Sequence, residues 1–127
     1  MIKALLSIVL GSSLGGLLRW GLSVKFNALW SVMPLGTYLA NVIAGYVAGL
    51  ALAFFSHLPS LSPEWRLFLL TGFCGALSTF STFSLEVVQS FQNDRVFSGL
   101  VIIFLHLLSS LLMTYLGFLT YQSWQSS

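Results

Sequence analysis

Four long apolar stretches alternate with short polar connectors along the chain. The stretches cover about residues 4–22, 35–55, 67–89 and 97–121, and the second contains no charged residue. An α-helix needs about 20 mainly apolar residues to cross the hydrocarbon core of a bilayer. The connectors contain Pro59, Pro63, Asn93 and Asp94, which stop helices or form turns. The pattern therefore predicts an all-α membrane protein with four transmembrane helices in a single domain, residues 1–127.

The composition indicates that lipid, not water, surrounds most of this chain. Of the 127 residues, 57% are apolar and 6% are charged, and the mean hydropathy is +0.92. A soluble domain carries about 25% charged residues. No basic stripe with interleaved aromatic residues and no nucleotide motif is present, so neither a nucleic acid nor a nucleotide is expected as a partner. The single cysteine, Cys74, excludes an intramolecular disulfide and a multi-thiolate metal site.

The N-terminus and the distribution of basic residues bear on membrane topology. Lys3 and the apolar run after it resemble a signal peptide, but no A-x-A-like site follows, so we expect a retained first helix. Cytoplasmic loops normally carry the excess of basic residues. Here Lys3 and Arg66 fall on one side of the predicted bundle, and Lys25 and Arg95 on the other. Either the chain has one weakly encoded topology, or it inserts in both orientations and can form an antiparallel homodimer.

Small and polar residues recur at every fourth position of the first two helices and therefore share one face of each helix. Faces of small residues let membrane helices approach closely, so we expect the glycines to pack within the subunit or the dimer. Arginine and asparagine are costly in lipid and should face the protein interior or water. The two rows are Ser7, Gly11, Gly15 and Arg19, and Thr37, Asn41, Gly45 and Gly49.

The third stretch contains the least lipid-like segment, residues 71–86. It holds Gly72 and Gly75, and five hydroxyl side chains lie between Ser78 and Ser84. Glycine and local side-chain hydrogen bonds weaken a helix. Non-helical backbone at membrane depth is tolerated only where protein buries it or where it lines a water-filled cavity. We therefore predict a broken third helix with its break near residues 75–79, whose freed carbonyls could bind a hard cation.

Beyond this break, two pairs of side chains follow a spacing of three residues. Phe80 and Phe83 lie on nearly one helix face, and Ser81 and Ser84 form a second pair. An aromatic ring has a positive edge, so ring edges and hydroxyl donors could hold a small anion weakly enough for conduction. Ordinary apolar packing, with the hydroxyls bonded back to the helix, explains the pattern equally well. The residues alone indicate a polar conduit or an ion site.

The run GFCGALSTFSTFS at residues 72–84, followed by Glu86, resembles the signature of the CrcB/Fluc family of fluoride channels. Three further motifs are similar to that family: GxxxRW at residues 15–20, PxGTxxxN at 34–41 and HxxxSxxxT at 106–114. The resemblance implies a passive fluoride channel, not an enzyme, that exports fluoride across the bacterial inner membrane and confers fluoride resistance. It also implies a dual-topology, antiparallel homodimer in the lipid bilayer, with two pores and a central structural sodium ion.

The resemblance also implies roles for individual residues. Phe80 and Phe83 would offer their ring edges to fluoride, and Arg19 and Glu86 would lie in or near a vestibule. Backbone carbonyls of Gly75 and Ser78 from both subunits would hold the sodium ion. Ala76 and Ser78 depart from the residues common in the family, which backbone ligation tolerates. The residues expected to line the fluoride pore are Phe80, Phe83, Asn41, Ser81, Thr82, Ser110 and Thr114.

Other functions are also compatible with four short apolar helices. A proton-coupled multidrug-type exporter would need a carboxylate deep in a span, and Glu86, late in the third stretch, comes nearest. A non-transporting accessory subunit would use the glycine faces for packing alone. An enzyme is disfavoured because no carboxylate pair, Ser/His/Asp arrangement or metal-ligand cluster can be assembled. His106 is either a pore-side donor or an interior histidine with satisfied hydrogen bonds.

Overall fold

The computed structural model describes the whole chain, Met1 to Ser127, and consists of helices without β-strands. Four helices are long and apolar enough to cross a membrane: Ile2–Phe26, Leu35–His57, Pro63–Gln92 and Val96–Ser126. Many large apolar side chains on their outer faces are exposed, as expected for a surface in contact with lipid. The prediction of an all-α chain with four helices of membrane-spanning length is confirmed.

The third of these helices, called the third span here, is composed of several segments. Helices α1 (Ile2–Phe26) and α2 (Leu35–His57) precede it. The third span begins with α3 (Pro63–Arg66), continues as a π-helical segment (Leu67–Cys74) and a short α4 (Gly75–Leu77), and ends with α5 (Phe80–Gln92). Helix α6 (Val96–Ser126) completes the chain.

Two residues between α4 and α5 leave helical geometry. Ser78 has φ −76° and ψ 155°, and Thr79 has φ −150° and ψ 113°, so the backbone is extended at both residues. These residues lie within the range 75–79, near which the break was expected, in the segment 71–86 that is rich in glycine and hydroxyl side chains. An extended backbone cannot continue the ladder of helical hydrogen bonds, so its peptide groups need partners from elsewhere in the protein.

Glycines allow close contacts between helices within the subunit. Helix α1 packs against the π-helical segment, and α2 packs against α6. A Cβ atom added at Gly15 would lie 2.2 Å from the Phe73 carbonyl oxygen, and one at Gly49 would lie 2.0 Å from the Thr114 carbonyl oxygen. The expectation that the glycine rows serve packing is therefore confirmed within the subunit.

Alanine at Gly15 should destabilise the protein, whereas alanine at the neighbouring Gly16 should not. Forcing a methyl group into the contact with Phe73 requires backbone movement and should cost about 1–3 kcal/mol. A Cβ at Gly16 meets no atom within 4 Å, so Gly16→Ala should be neutral or stabilise the helix by up to about 1 kcal/mol. Tryptophan fluorescence during unfolding in mixed detergent micelles measures the unfolding midpoint of each variant. Equal unfolding midpoints for the two variants would contradict this account of the helix contact.

Candidate ion pathway

A cavity of about 510 Å³, called the central cavity here, lies between α2, the third span and α6. It brings together four residues expected from the sequence to line a pore: Asn41, Phe80, Phe83 and Ser110. Phe80 and Leu111 at its edge are 73% and 70% exposed, so the cavity opens to the surface of the single subunit. Gly75, Ser78 and His106 also line the central cavity.

The side chain of Asn41 provides partners for the extended backbone. Its Oδ1 atom accepts a hydrogen bond of 2.7 Å from the Thr79 N–H group, and its Nδ2 atom donates one of 3.2 Å to the Thr79 carbonyl. The carboxamide thus pairs with both peptide groups of Thr79, much as a neighbouring strand would. The same Nδ2 atom, which has a second N–H, lies 3.0 Å from the Nδ1 atom of His106. Asn41 therefore connects α2 to the third span and to α6.

His106 lines the central cavity and carries a buried hydrogen-bond donor that has no partner. The nitrogen of the Asn41 amide can only donate, so Nδ1 of His106 is the acceptor and a neutral ring carries its proton on Nε2. The residue is 3% exposed, and its Nε2 atom is buried without a hydrogen-bond partner. The Phe83 ring lies 4.8 Å away between centroids, and the Tyr38 ring lies 5.5 Å away.

The two phenylalanines are placed by the first turn of α5. The Thr79 hydroxyl accepts a hydrogen bond of 3.2 Å from the Thr82 N–H group and caps the helix. Phe80 and Phe83 follow within this turn, with ring centroids 5.4 Å apart and planes inclined by 61°, which is an edge-type arrangement. Phe83 is buried and Phe80 is exposed. The predicted pair of rings therefore forms one wall of the central cavity.

Two backbone carbonyls lose their usual helical partners at the extended residues. In a continuous helix, the Thr79 N–H would bond to the Gly75 carbonyl and the Thr82 N–H to the Ser78 carbonyl. These donors bond instead to Asn41 Oδ1 and to the Thr79 hydroxyl. No group of three His, Cys, Asp or Glu side chains that could hold a metal ion exists in the structure. A cation at this place would therefore depend on carbonyl oxygens.

The sequence of residues 6–118 matches the family described as "CrcB-like protein, Camphor Resistance (CrcB)". The chain belongs to the CrcB family. It is 59% identical over 121 residues to the fluoride-specific ion channel FluC of Pseudomonas putida (strain W619), with 95% of each chain covered. It is 54% identical over 127 residues to that of Nitrosomonas europaea, with 100% of each chain covered. It is 53% identical over 117 residues to that of Pseudomonas aeruginosa (strain UCBPP-PA14), with 92% of each chain covered.

In this CrcB chain, Arg19 lies on the face of α1 that packs against the third span. Its Nε atom donates a hydrogen bond of 3.0 Å to the Ala76 carbonyl, near the end of α4. A cation is favourable at the C-terminal end of a helix, where carbonyl oxygens have no helical partners. Arg19 thus faces protein, and its charge lies close to the extended residues 78 and 79.

Glu86 lies outside the central cavity of this CrcB chain. It lines a second space of about 280 Å³, called the surface pocket here, together with residues of the first and third connectors. Its Oε2 atom accepts a hydrogen bond of 2.7 Å from the Thr37 hydroxyl, and its Oε1 atom is buried without a partner. The surface pocket is also lined by Asn27, Ser31, Met33, Gln89, Arg95 and Ile102.

Three of the residues expected to line a pore are not part of the central cavity wall. Ser81 is exposed and Thr82 is half-buried. The Thr114 hydroxyl donates a hydrogen bond of 2.9 Å to the Ser110 carbonyl of its own helix. Sequence reasoning did not single out Tyr38, whose ring contacts His106, because an isolated aromatic residue in an apolar helix gives no signal.

Proposed function

We propose that this CrcB protein is a passive, fluoride-selective ion channel of the bacterial inner membrane, not an enzyme. The observation that carries the proposal is the central cavity, where Asn41, Phe80, Phe83 and Ser110 meet beside an extended stretch of backbone. The names of the similar proteins from Pseudomonas and Nitrosomonas support the same anion. Fluoride enters cells as HF and dissociates there. An inside-negative potential of 100 mV then drives each anion outward with about 2.3 kcal/mol, which lowers the toxicity of fluoride.

The donors of the central cavity suit a small anion that must also leave. Both N–H groups of Asn41 are engaged by Thr79 and His106. We infer that Asn41 acts mainly by holding these two residues in place. The Ser110 hydroxyl then offers a hydrogen bond, and the rings of Phe80 and Phe83 offer positive edges. None of these groups carries a full charge, so the anion can be bound and released quickly.

An antiparallel, dual-topology homodimer with two pores would cover the open side of the central cavity. Gly75, Ser78 and Phe80 are exposed there in the single subunit, and polar groups at membrane depth are favourable only against protein or water. The even distribution of Lys3, Lys25 and the other basic residues is consistent with insertion in both orientations. Epitope tags at both termini of the chain in whole cells test this proposal. Labelling of each tag from one side only would contradict it.

A structural sodium ion would fit the carbonyls of Gly75 and Ser78 from two subunits. Oxygen ligands suit hard cations, and both carbonyls have lost the donors that a continuous helix would provide. Bound there, sodium would contribute a fixed positive charge and connect the two copies. Exchange of sodium for N-methylglucamine should lower the thermal stability of the purified dimer. An unchanged melting temperature over the whole titration would remove the ion from the proposal.

Reconstitution into liposomes tests the channel directly. Vesicles loaded with potassium fluoride and supplied with a potassium ionophore should lose fluoride rapidly, and vesicles loaded with potassium chloride should lose almost no chloride. An ion-selective electrode outside the vesicles measures both. Fluoride that leaves only when a proton gradient is imposed would replace the passive mechanism with proton-coupled export. That alternative is not favoured, because Glu86 is bonded to Thr37 and lies outside the central cavity.

A further inference from the structure

An apolar cluster stands between the central cavity and the surface pocket. Phe83 lines the central cavity, Met33 and Ile102 line the surface pocket, and no residue lines both spaces. With Val87, these three side chains form one buried cluster, called the apolar partition here. Met33 and Ile102 are each 1% exposed. The two spaces are therefore neighbours, separated by side chains that offer no hydrogen bond.

Two hydroxyl groups near the apolar partition are already engaged by other side chains. The Thr37 hydroxyl donates to Glu86 Oε2 at 2.7 Å. Tyr38, whose ring packs against the partition, donates its hydroxyl hydrogen to Ser109 Oγ at 2.6 Å. Neither hydroxyl has a hydrogen left for an anion while these bonds persist. An anion moving from one space to the other would therefore gain no hydrogen bond from either hydroxyl.

We propose that Met33 and Ile102 form the constriction of the ion route and limit the rate at which an anion passes between the central cavity and the surface pocket. This inference rests on the proposed channel function. Water withdraws from a narrow apolar passage, and such a passage acts as a barrier to ions. A charge without hydrogen-bonding partners is costly in such an environment. Methionine is flexible and can move aside, whereas the β-branched Ile102 is stiff, so Ile102 is the fixed side of the constriction.

Two substitutions of Ile102 separate polarity from size. Valine and threonine have nearly the same shape, but only threonine brings a hydroxyl group. Ile102→Thr should raise fluoride efflux about threefold or more over Ile102→Val, because a lower barrier appears directly in the rate. Leu112→Thr on the same helix is the control, because Leu112 is 57% exposed and lines neither space. Equal fluoride efflux in the Val and Thr variants of Ile102 would overturn the apolar constriction.

A second test leaves the apolar partition intact. Ser31 lies at the surface pocket and is exposed, whereas the one native cysteine, Cys74, is buried. Attachment of a bulky methanethiosulfonate reagent to Ser31→Cys should reduce fluoride efflux strongly, relative to the wild-type protein treated in the same way. Efflux that is unchanged by complete modification would overturn the route through the surface pocket. Fluoride efflux from vesicles that contain the wild-type protein tests the channel function itself. Failure of the proposed channel function is therefore distinguished from failure of the proposed constriction.

Discussion

Replacement of Phe83 by isoleucine should slow fluoride efflux from liposomes by about tenfold or more, which corresponds to a barrier increase of about 1.4 kcal/mol. Isoleucine keeps much of the apolar volume but has no ring edge for an anion. Phe83 is buried and lines the central cavity. Its ring centroid lies 5.4 Å from that of Phe80 and 4.8 Å from that of His106. The loss should therefore appear in fluoride transport and not in the assembly of the proposed dimer.

The matched control for this substitution is Phe104→Ile. Phe104 lies in α6, is 59% exposed and is not part of the central cavity. Its replacement should leave fluoride efflux near the wild-type rate. Phe80→Ile should slow efflux like Phe83→Ile, because the two rings form one wall. Size-exclusion chromatography of each variant checks assembly. Fluoride efflux at the wild-type rate in a Phe83→Ile variant that assembles like the wild-type protein would remove the ring edges from the mechanism.

Replacement of Asn41 by leucine should abolish fluoride efflux and destabilise the protein by about 3 kcal/mol or more, because each of three polar groups that lose their partner costs about 1–3 kcal/mol. Leucine has a similar size, but the N–H and carbonyl groups of Thr79 and the Nδ1 atom of His106 would lose their hydrogen bonds. Without these bonds the extended backbone has no partner that holds it beside the central cavity.

Thr114→Val is the control for stability. The Thr114 hydroxyl bonds only to a carbonyl of its own helix, so its removal should change the unfolding midpoint in mixed detergent micelles very little. The Asn41→Asp variant should have an unfolding midpoint between those of the wild type and Asn41→Leu. The aspartate keeps an acceptor for the Thr79 N–H but has no donor for the Thr79 carbonyl. If the Asn41→Leu variant unfolds at the wild-type midpoint, the Asn41 carboxamide does not hold residues 78 and 79 in their extended conformation.

The number and order of the spans could be predicted because each signal is local. Twenty or so apolar residues in succession predict a membrane helix without any knowledge of the neighbours. The π-helical segment Leu67–Cys74 could not be predicted, since its apolar residues are equally suited to an α-helix. The glycine rows correctly indicated close helix contacts, because Gly15 and Gly49 lack the methyl group that would collide with a facing carbonyl.

The pairing of residues across helices could not be predicted from the sequence. Asn41 and His106 were recognised as polar residues in apolar helices, but their hydrogen bond joins positions 65 residues apart. The bond between Thr37 and Glu86 spans 49 residues in the same way. Spacing along one helix gave Phe80 and Phe83 a common face, yet it could not tell which hydroxyl side chains reach the central cavity. Ser110 does so and Thr114 does not, although both lie on one face of α6, because Thr114 is one helical turn further along, where α6 packs against Gly49 of α2.

The hydrogen bonds between Asn41 and Thr79 also have a consequence for biogenesis. Proteins are synthesised from the N-terminus, so α2 is available before the third span leaves the ribosome. The peptide groups of Thr79 can therefore find their partner on a helix that is already in the membrane. His106 lies on α6 and arrives last. We expect the nascent chain to become competent for ion passage only after its final helix has inserted, so that an incompletely translated chain cannot leak ions.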